Sequence, residues 1–473
     1  MRVIPRLLLV LTIWAALYLP WLGAPEYYSE EGHRVMPAVE MIESGNYLVP
    51  TVAGQLYFNK PPLLNWLIAA SFKCFGVREW SARFVSVCAV LLGAVVFLFA
   101  TRREFGRNGA LLAALVWLTN FGLIEKGRMA EIEALYTMLF ALALIAWLKL
   151  WRAQRNPWLT WTIPFVFLGV GLLAKGPANL LFFYCIVIAI LRSAGEMKQL
   201  RQSAHFAGIV IAVGIFALWA VPYYFAINHE ASPSKEWSRE MVAPIIGQRH
   251  GFSGWIENYP RGIGYFLPWL LLLPFLRLKM IDDARDRAIA GGLAWGSVLP
   301  SFALLSLPFS YPRYVIPAVG PLCCVIALAS KANAFEWRIP KLGTAIPRWL
   351  IPGAIAITCF AAIIVWPSQT ARVLAKTPKL KARAAQVNQQ VAPNESIYVY
   401  RLYFQPYLLY VQARVRYIDS LDQVPRDAHY ILVNDYDLPA LEQNETWRAF
   451  QPRGVLTTER FRNISSVLFR VSR

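Results

Sequence analysis

Apolar stretches long enough to cross a bilayer recur from the N-terminus of this chain to about Trp366, and that recurrence rules out an ordinary soluble enzyme. Eleven such stretches are read: 7–23, 82–100, 109–124, 133–149, 158–174, 178–191, 206–228, 261–276, 288–306, 313–330 and 348–366. Apolar residues make up 57% of the 473, so most of the chain must sit in lipid. The expected fold is a polytopic α-helical membrane protein of about 11 to 13 spans.

Charge orients this bundle. Short basic clusters alternate between the spans, at Arg102/Arg103/Arg107, Lys149/Arg152/Arg155, Arg192/Lys198/Arg201, Arg277/Lys279/Arg285/Arg287 and Lys331/Arg338/Lys341/Arg348, and the positive-inside rule makes those loops cytoplasmic. Arg2 and Arg6 before the first span resemble a signal peptide, but its length, the Tyr18/Trp21 anchor and the lack of a small-residue cleavage site favour a retained helix. An odd span count puts the N-terminus inside and the C-terminus outside. Topogenic arginine then explains much of the +19 net charge without nucleic acid, and the surplus can also hold membrane lipids or a lipid phosphate. The six cysteines show neither metal spacing nor a disulfide framework, and no cofactor motif appears.

Two long outer loops, 24–81 and 229–260, share the outer side with the tail. In the first, Glu30 to Ser44 reads as a surface helix kinked by Pro37 and capped by Gly45; a second amphipathic segment follows Pro61-Pro62 through Phe75. Residues 1–366 form the expected transmembrane domain. From 367 to 473 charge rises and spanning length disappears, which predicts a small extracytoplasmic α/β domain. Its expected helices are 379–391, 405–412 and 438–443, and its expected strands 396–400, 429–433 and 465–471.

Acids and cations in the outer loops are the candidates for chemistry, because charge beside hydrocarbon is costly without a use. Glu30 and Glu31 diverge by about 100° on a helix, so one base and one helper is the functional reading, against first-turn acids facing the helix dipole. Glu133 begins an apolar span after the charged run 125–133, as an interfacial anchor or a further acid. Lys60 either binds phosphate or snorkels, and Lys175-Gly176-Pro177 brings a lysine to the membrane surface. Arg249, Arg313 and Tyr314 can donate hydrogen bonds to phosphate oxygens, and the two arginines lie on a face where positive charge is disfavoured. Asp435-Tyr436-Asp437 mimics a nucleotide-sugar metal motif, but helix capping explains it more simply.

The run Ser44-Gly45-Asn46-Tyr47-Leu48-Val49-Pro50, continuing to Tyr57-Phe58-Asn59-Lys60-Pro61-Pro62-Leu63-Leu64, resembles the first outer loop of bacterial GT-C glycosyltransferases. The resemblance is to the aminoarabinose (lipid A) transferase and protein-mannosyltransferase group. It extends to Lys175-Gly176-Pro177, Tyr265-Phe266-Leu267-Pro268-Trp269 and Arg313-Tyr314-x-x-Pro317. It implies catalytic acids at Glu30, Glu31 and Glu133, with Glu30 and Glu133 standing where the family has aspartate, and a sugar donor joined through phosphate to a polyprenol. Lys60, Lys175, Arg249, Arg313 and Tyr314 would hold that phosphate, and no metal is implied because Asn59 stands where the family has an acid.

The function implied is inverting transfer of a hexosyl or pentosyl group to a lipid, glycan or protein acceptor at the outer face of a bacterial inner membrane. Glu30 would take or orient the acceptor proton while the lipid phosphate leaves. A flippase of lipid-linked sugars is the rival, but no paired halves are found. A non-catalytic envelope-glycan assembly subunit is the third reading.

Overall fold

Helices of spanning length and composition form along the longest apolar runs, some of them through an internal proline such as Pro222 or Pro300. Six qualify among the described residues: α4 (Glu79–Ala100), α7 (Ile132–Arg152), α10 (Ser203–Ala226), and those at Ala284–Ser306, Pro312–Lys331 and Pro352–Leu374. Shorter helices are α1 (Val3–Tyr18), α3 (Leu63–Phe75), α5 (Arg102–Leu118), α6 (Phe121–Lys126), α8 (Pro157–Leu172) and α9 (Ala178–Ala194). The structure is a computed structural model that describes residues 3–57, 59–227, 256–307, 310–336, 349–376, 379–401, 404–458 and 465–472. It divides into a helical unit, Met1–Leu22 with Phe58–Ala371, and a mixed unit, Gly23–Tyr57 with Arg372–Arg473.

In the helical unit α8 packs on α7 and α10, α9 on the Ala284–Ser306 helix, and α5 on α4 and the Val319–Lys331 helix. Aromatic residues fill the interior: Trp117, Trp147, Trp151 and Trp161 are fully buried, and the Trp147 and Trp151 rings stack at 5.3 Å. Small residues permit close helix approach, since a Cβ on Gly296 would lie 2.5 Å from the Ile186 backbone on α9. Outward faces are apolar as well. Val210, Leu218 and Phe225 on α10, with Trp295 and Leu299 on the Ala284–Ser306 helix, are all more than half exposed, as a lipid-facing surface requires.

One expected span is corrected. Residues 261–276 form a short helix, Asn258–Gly264, then a 3-10 helix, Trp269–Phe275, separated by a cis Leu267–Pro268 bond. Pro268 and Pro274 lack amide protons and weaken a helix here, and the apolar run divides into two short pieces. Its carbonyls are used elsewhere: the Phe121 and Gly122 amides donate to Leu267 and Tyr265 at 3.0 Å. The expected span at 109–124 ends early, at Leu118, where Asn120 caps the separate helix α6.

The mixed unit contains a five-stranded sheet of β3 (Ser396–Tyr400), β4 (Arg414–Ile418), β5 (Tyr430–Asn434), β6 (Arg453–Thr457) and β7 (Ser466–Arg470), in the order β4-β3-β5-β7-β6. Strand β3 is parallel to β4 and β5, whereas β7 is antiparallel to β5 and β6. Alternate residues serve two cores: Ile397, Val399 and Leu432 pack with Leu380 and Val387, and Tyr398, Ile431 and Val433 pack with Trp447 and Phe450. Strands β3, β5 and β7 lie where alternation predicts them. The edge strands β4 and β6 carry exposed arginines and were not expected.

The first-loop helix α2 (Gly32–Ser44) and the hairpin of β1 (Thr51–Val52) and β2 (Gln55–Leu56) pack in this same unit. The sequence division grouped them with the transmembrane region. Helix α2 starts two residues later than expected and ends, as expected, at left-handed Gly45. Glu40 secures the hairpin turn by accepting from the Thr51 hydroxyl and the Ala53 amide, and burial pushes its carboxyl pKa up.

Candidate active site

The site begins where α7 begins. Glu131 is the residue preceding α7 and Glu133 lies in its first turn, where the helix dipole favours negative charge. Across from them, the α8–α9 turn carries Lys175, made possible by Gly176 at φ 104°, a backbone conformation that L side chains rarely adopt. Tyr136 on α7 holds that turn: its hydroxyl donates to the Gly176 carbonyl at 2.7 Å and accepts from the Asn179 amide at 2.6 Å.

Lys175 Nζ lies 2.8 Å from Glu133 Oε1, and Arg313 Nε lies 3.4 Å from the same oxygen. Arg313 enters from the 3-10 turn Pro312–Ala318. Its Nη1 approaches Glu131 at 4.0 Å, and Lys126 at the end of α6 reaches both Glu131 and Glu125 at 3.2 Å. The Lys175 ammonium sits over the Tyr314 ring, 4.6 Å from its centroid.

Burial shifts these groups. It pulls the Lys175 pKa down to about 8 although Glu133 opposes the fall, with Arg313 and Lys60 adding to it. It pushes the Glu131 carboxyl up, against the pull of Lys126. Lys126 moves the other way despite its burial, because Glu131 and Glu125 hold its proton.

Lys60, Lys126, Lys175 and Arg313 outnumber Glu125, Glu131 and Glu133 by one charge. A cavity of about 430 Å³ opens beside them, lined by Glu125, Lys126, Arg261, Tyr265, Tyr311 and Arg313 together with the stacked rings of Phe121 and Trp366. This is a cationic chamber with an aromatic wall, suited to an anion attached to an apolar chain.

Of the expected site residues, Glu133, Lys175, Arg313 and Tyr314 meet, with Lys60 close enough to influence Lys175. Glu131 and Lys126 complete the cluster and were not singled out. The signal for them was the density of charge in the loop 125–133 between two apolar runs. Arg249 lies outside the described residues.

Glu30 and Glu31 belong to the mixed unit and are unequal there. Glu31 is fully buried at the start of α2; its carboxylate accepts from the Tyr28 amide and its carbonyl from the Arg34 and Val35 amides. The Glu30 side chain is 36% exposed, with His33 Nδ1 at 3.9 Å and Arg34 at 4.0 Å from one carboxylate oxygen.

The family model described as dolichyl-phosphate-mannose-protein mannosyltransferase matches residues 59–221. An undecaprenyl phosphate-alpha-4-amino-4-deoxy-L-arabinose arabinosyl transferase of Pectobacterium carotovorum is 27% identical over 71% of this chain and 61% of its own length. An uncharacterized protein of Aquifex aeolicus is 26% identical over 65% of this chain and 59% of its own. The chain thus spans about three-fifths of the length of these curated relatives. The crystal structure of ArnT from Cupriavidus metallidurans bound to undecaprenyl phosphate has the same fold, with a TM-score of 0.71 over 99% of this chain and 97% of that one at 17% identity. In sequence and in fold, then, the chain resembles the GT-C group of aminoarabinose transferases and protein mannosyltransferases.

Proposed function

We propose that this chain is an inverting glycosyltransferase that moves a sugar from an undecaprenyl-phosphate type of donor to a lipid, glycan or protein acceptor. The observation that carries the reading is the buried cluster of Lys175, Arg313 and Tyr314 around Glu133, with its surplus positive charge and its adjoining cavity. The similarity to transferases that carry undecaprenyl phosphate in their names supports the donor class.

In this reading the acceptor oxygen attacks the anomeric carbon and the bond to the phosphate oxygen breaks. Its electron pair leaves with the lipid phosphate, and the configuration inverts. Lys60, Lys175, Arg313 and Tyr314, with Arg249, stabilise the charge that develops on the phosphate, so Glu133 serves to hold two of those cations in place before the donor arrives. Glu30 receives the proton of a hydroxyl acceptor, whereas a phosphate acceptor needs only positioning. Glu31 supports the backbone beneath Glu30. The reaction is assigned to the outer face of the bacterial inner membrane, with the N-terminus cytoplasmic and the C-terminal domain outside, a reading that the alternating basic loops support.

The test is reconstitution. Full-length protein in lipid nanodiscs, given an undecaprenyl-phosphate sugar and an envelope lipid extract, is expected to release undecaprenyl phosphate and yield one glycosylated product by mass spectrometry. Donor that stays intact with every acceptor fraction would overturn the reading.

A further inference from the structure

A glutamate side chain has three rotatable bonds, and an exposed one is productive only if neighbours restrict it. Glu30 has such neighbours. His33 stands one helical turn away with Nδ1 3.9 Å from the Glu30 carboxylate, and its imidazole packs against the Phe404 ring, 3.9 Å between centroids and tilted by 32°. Phe404 is distant in sequence but packed in the same unit, 7% exposed, against Met36 of α2 and Ala53 of the hairpin turn.

The local sequence is adapted to that ring. A Cβ on Gly32 would fall 2.6 Å from Phe404 Cζ, so glycine at the head of α2 is what lets the ring reach His33. Further ties hold the segment to the C-terminal portion. The Glu26 carboxylate accepts from the Leu380 amide at 2.7 Å, at the start of the Leu380–Gln390 helix; the Tyr27 amide donates to the Tyr410 hydroxyl at 2.9 Å, and Gln55 Nε2 to Asp419 at 2.7 Å. The 23–57 segment alone is far too short to bury a core of its own, so its shape derives from these contacts.

We propose that Phe404, acting through His33, is a positioning residue for Glu30, so that the C-terminal α/β portion of the mixed unit presents the acid of the transfer reaction. This rests on the catalytic reading of Glu30 given above. It assigns the C-terminal domain a part in turnover that is separate from donor binding.

The experiment uses full-length protein with an undecaprenyl-phosphate sugar and reads kcat and donor KM separately, with the melting temperature of each variant. Phe404→Ala is expected to lower kcat at least about tenfold with donor KM within about twofold, because misorientation of a reacting group acts on the transition state. His33→Ala should give the same signature, and the double variant should be no worse than His33→Ala alone, since both act along one path. Phe404→Leu, which keeps bulk against the imidazole, should retain most of the activity and decides the matter if Phe404→Ala does not fold. Wild-type kcat in Phe404→Ala, a loss in Phe404→Leu that merely follows its melting temperature, or fully additive losses would overturn the proposal. Glu30→Gln separates the two readings: if it stays active with a hydroxyl acceptor the catalytic assignment fails, whereas an inactive Glu30→Gln beside a fully active Phe404→Ala sinks only the positioning role.

Discussion

Two clusters in the helical unit each bury a carboxylate between two cations, yet only one has the makings of a reaction site. Glu133 lies between Lys175 and Arg313; Asp286, on the Ala284–Ser306 helix, lies between Arg152 at 2.5 Å and Lys331 at 3.1 Å. Around Asp286 the surplus donors are consumed locally. Lys331 also donates to the Glu104 carbonyl, Arg285 pairs with Glu196 and covers the Trp151 ring, and the adjoining cavity is only about 10 Å³. Around Glu133 there is a second acid, tyrosine hydroxyls and a cavity of about 430 Å³. Burial of an ion pair is therefore poor evidence of function by itself; unfilled space beside surplus charge is what separates the two.

The largest expected contrast is between the lysines. Lys175→Met should reduce turnover of an undecaprenyl-phosphate sugar by about 10²-fold or more, the scale of removing one group that meets developing charge. Lys331→Met should leave kcat within about twofold, and equal losses in the two variants would erase the distinction. Next come the acids. Asp286→Asn leaves Arg152 without its partner and should cost about 3 kcal/mol of stability with turnover preserved in the folded fraction, as denaturation and active-site titration would separate. Glu133→Gln should instead lower kcat/KM by about tenfold in the folded fraction, because Lys175 loses the acid that holds it while Glu131 still faces Arg313.

The pH profile sharpens the comparison further. Lys175 is depressed by burial to about 8, so its charge is complete below that pH and activity that depends on it declines as pH rises through about 8. Glu133→Gln removes the charge that opposes the depression, so the alkaline limb should move to lower pH; a limb that stays in place would detach Lys175 from the rate. The stability effect has the opposite sense. The unfolded chain keeps this proton up to about 10.5, so the buried lysine costs stability below about pH 8, and the cost fades between 8 and 10.5. The smallest effect expected is that of Trp366→Ala, which opens the aromatic wall and should raise donor KM a few-fold for a long polyprenol and less for a short one.

Much of the fold could be read from the chain because lipid makes local composition decisive. Residues 132–152 and 203–226 are helical for that reason, and the outward faces are apolar for the same one. At 261–276 apolar content predicts one span, but that run carries Pro268 and Pro274 and divides into a short helix and a 3-10 helix. Strands β4 and β6 were missed, since an edge strand needs only one buried face and tolerates the arginines that hide its pattern. Glu133, Lys175, Arg313 and Tyr314 were legible as charges and donors beside spans. Glu131 was legible only as one charge of the run 125–133, because what sets it apart there, its pairing with Lys126 at the end of α6, comes from packing.

Local composition is enough to set the solvent of this protein, the helical class that follows, and the excess of positive over negative charge in the loops between the spans. Those are sums over local composition, and a bilayer enforces them segment by segment. Tertiary structure alone decided which charges meet: Glu133 and Lys175 are 42 residues apart, and Arg313 is more remote still. It alone also decided that Glu30 shares a unit with the C-terminal sheet, since contacts such as Glu26 with Leu380 and His33 with Phe404 join positions more than 350 residues apart. Packing is a property of pairs, and the pairs that matter here leave no periodicity in the chain.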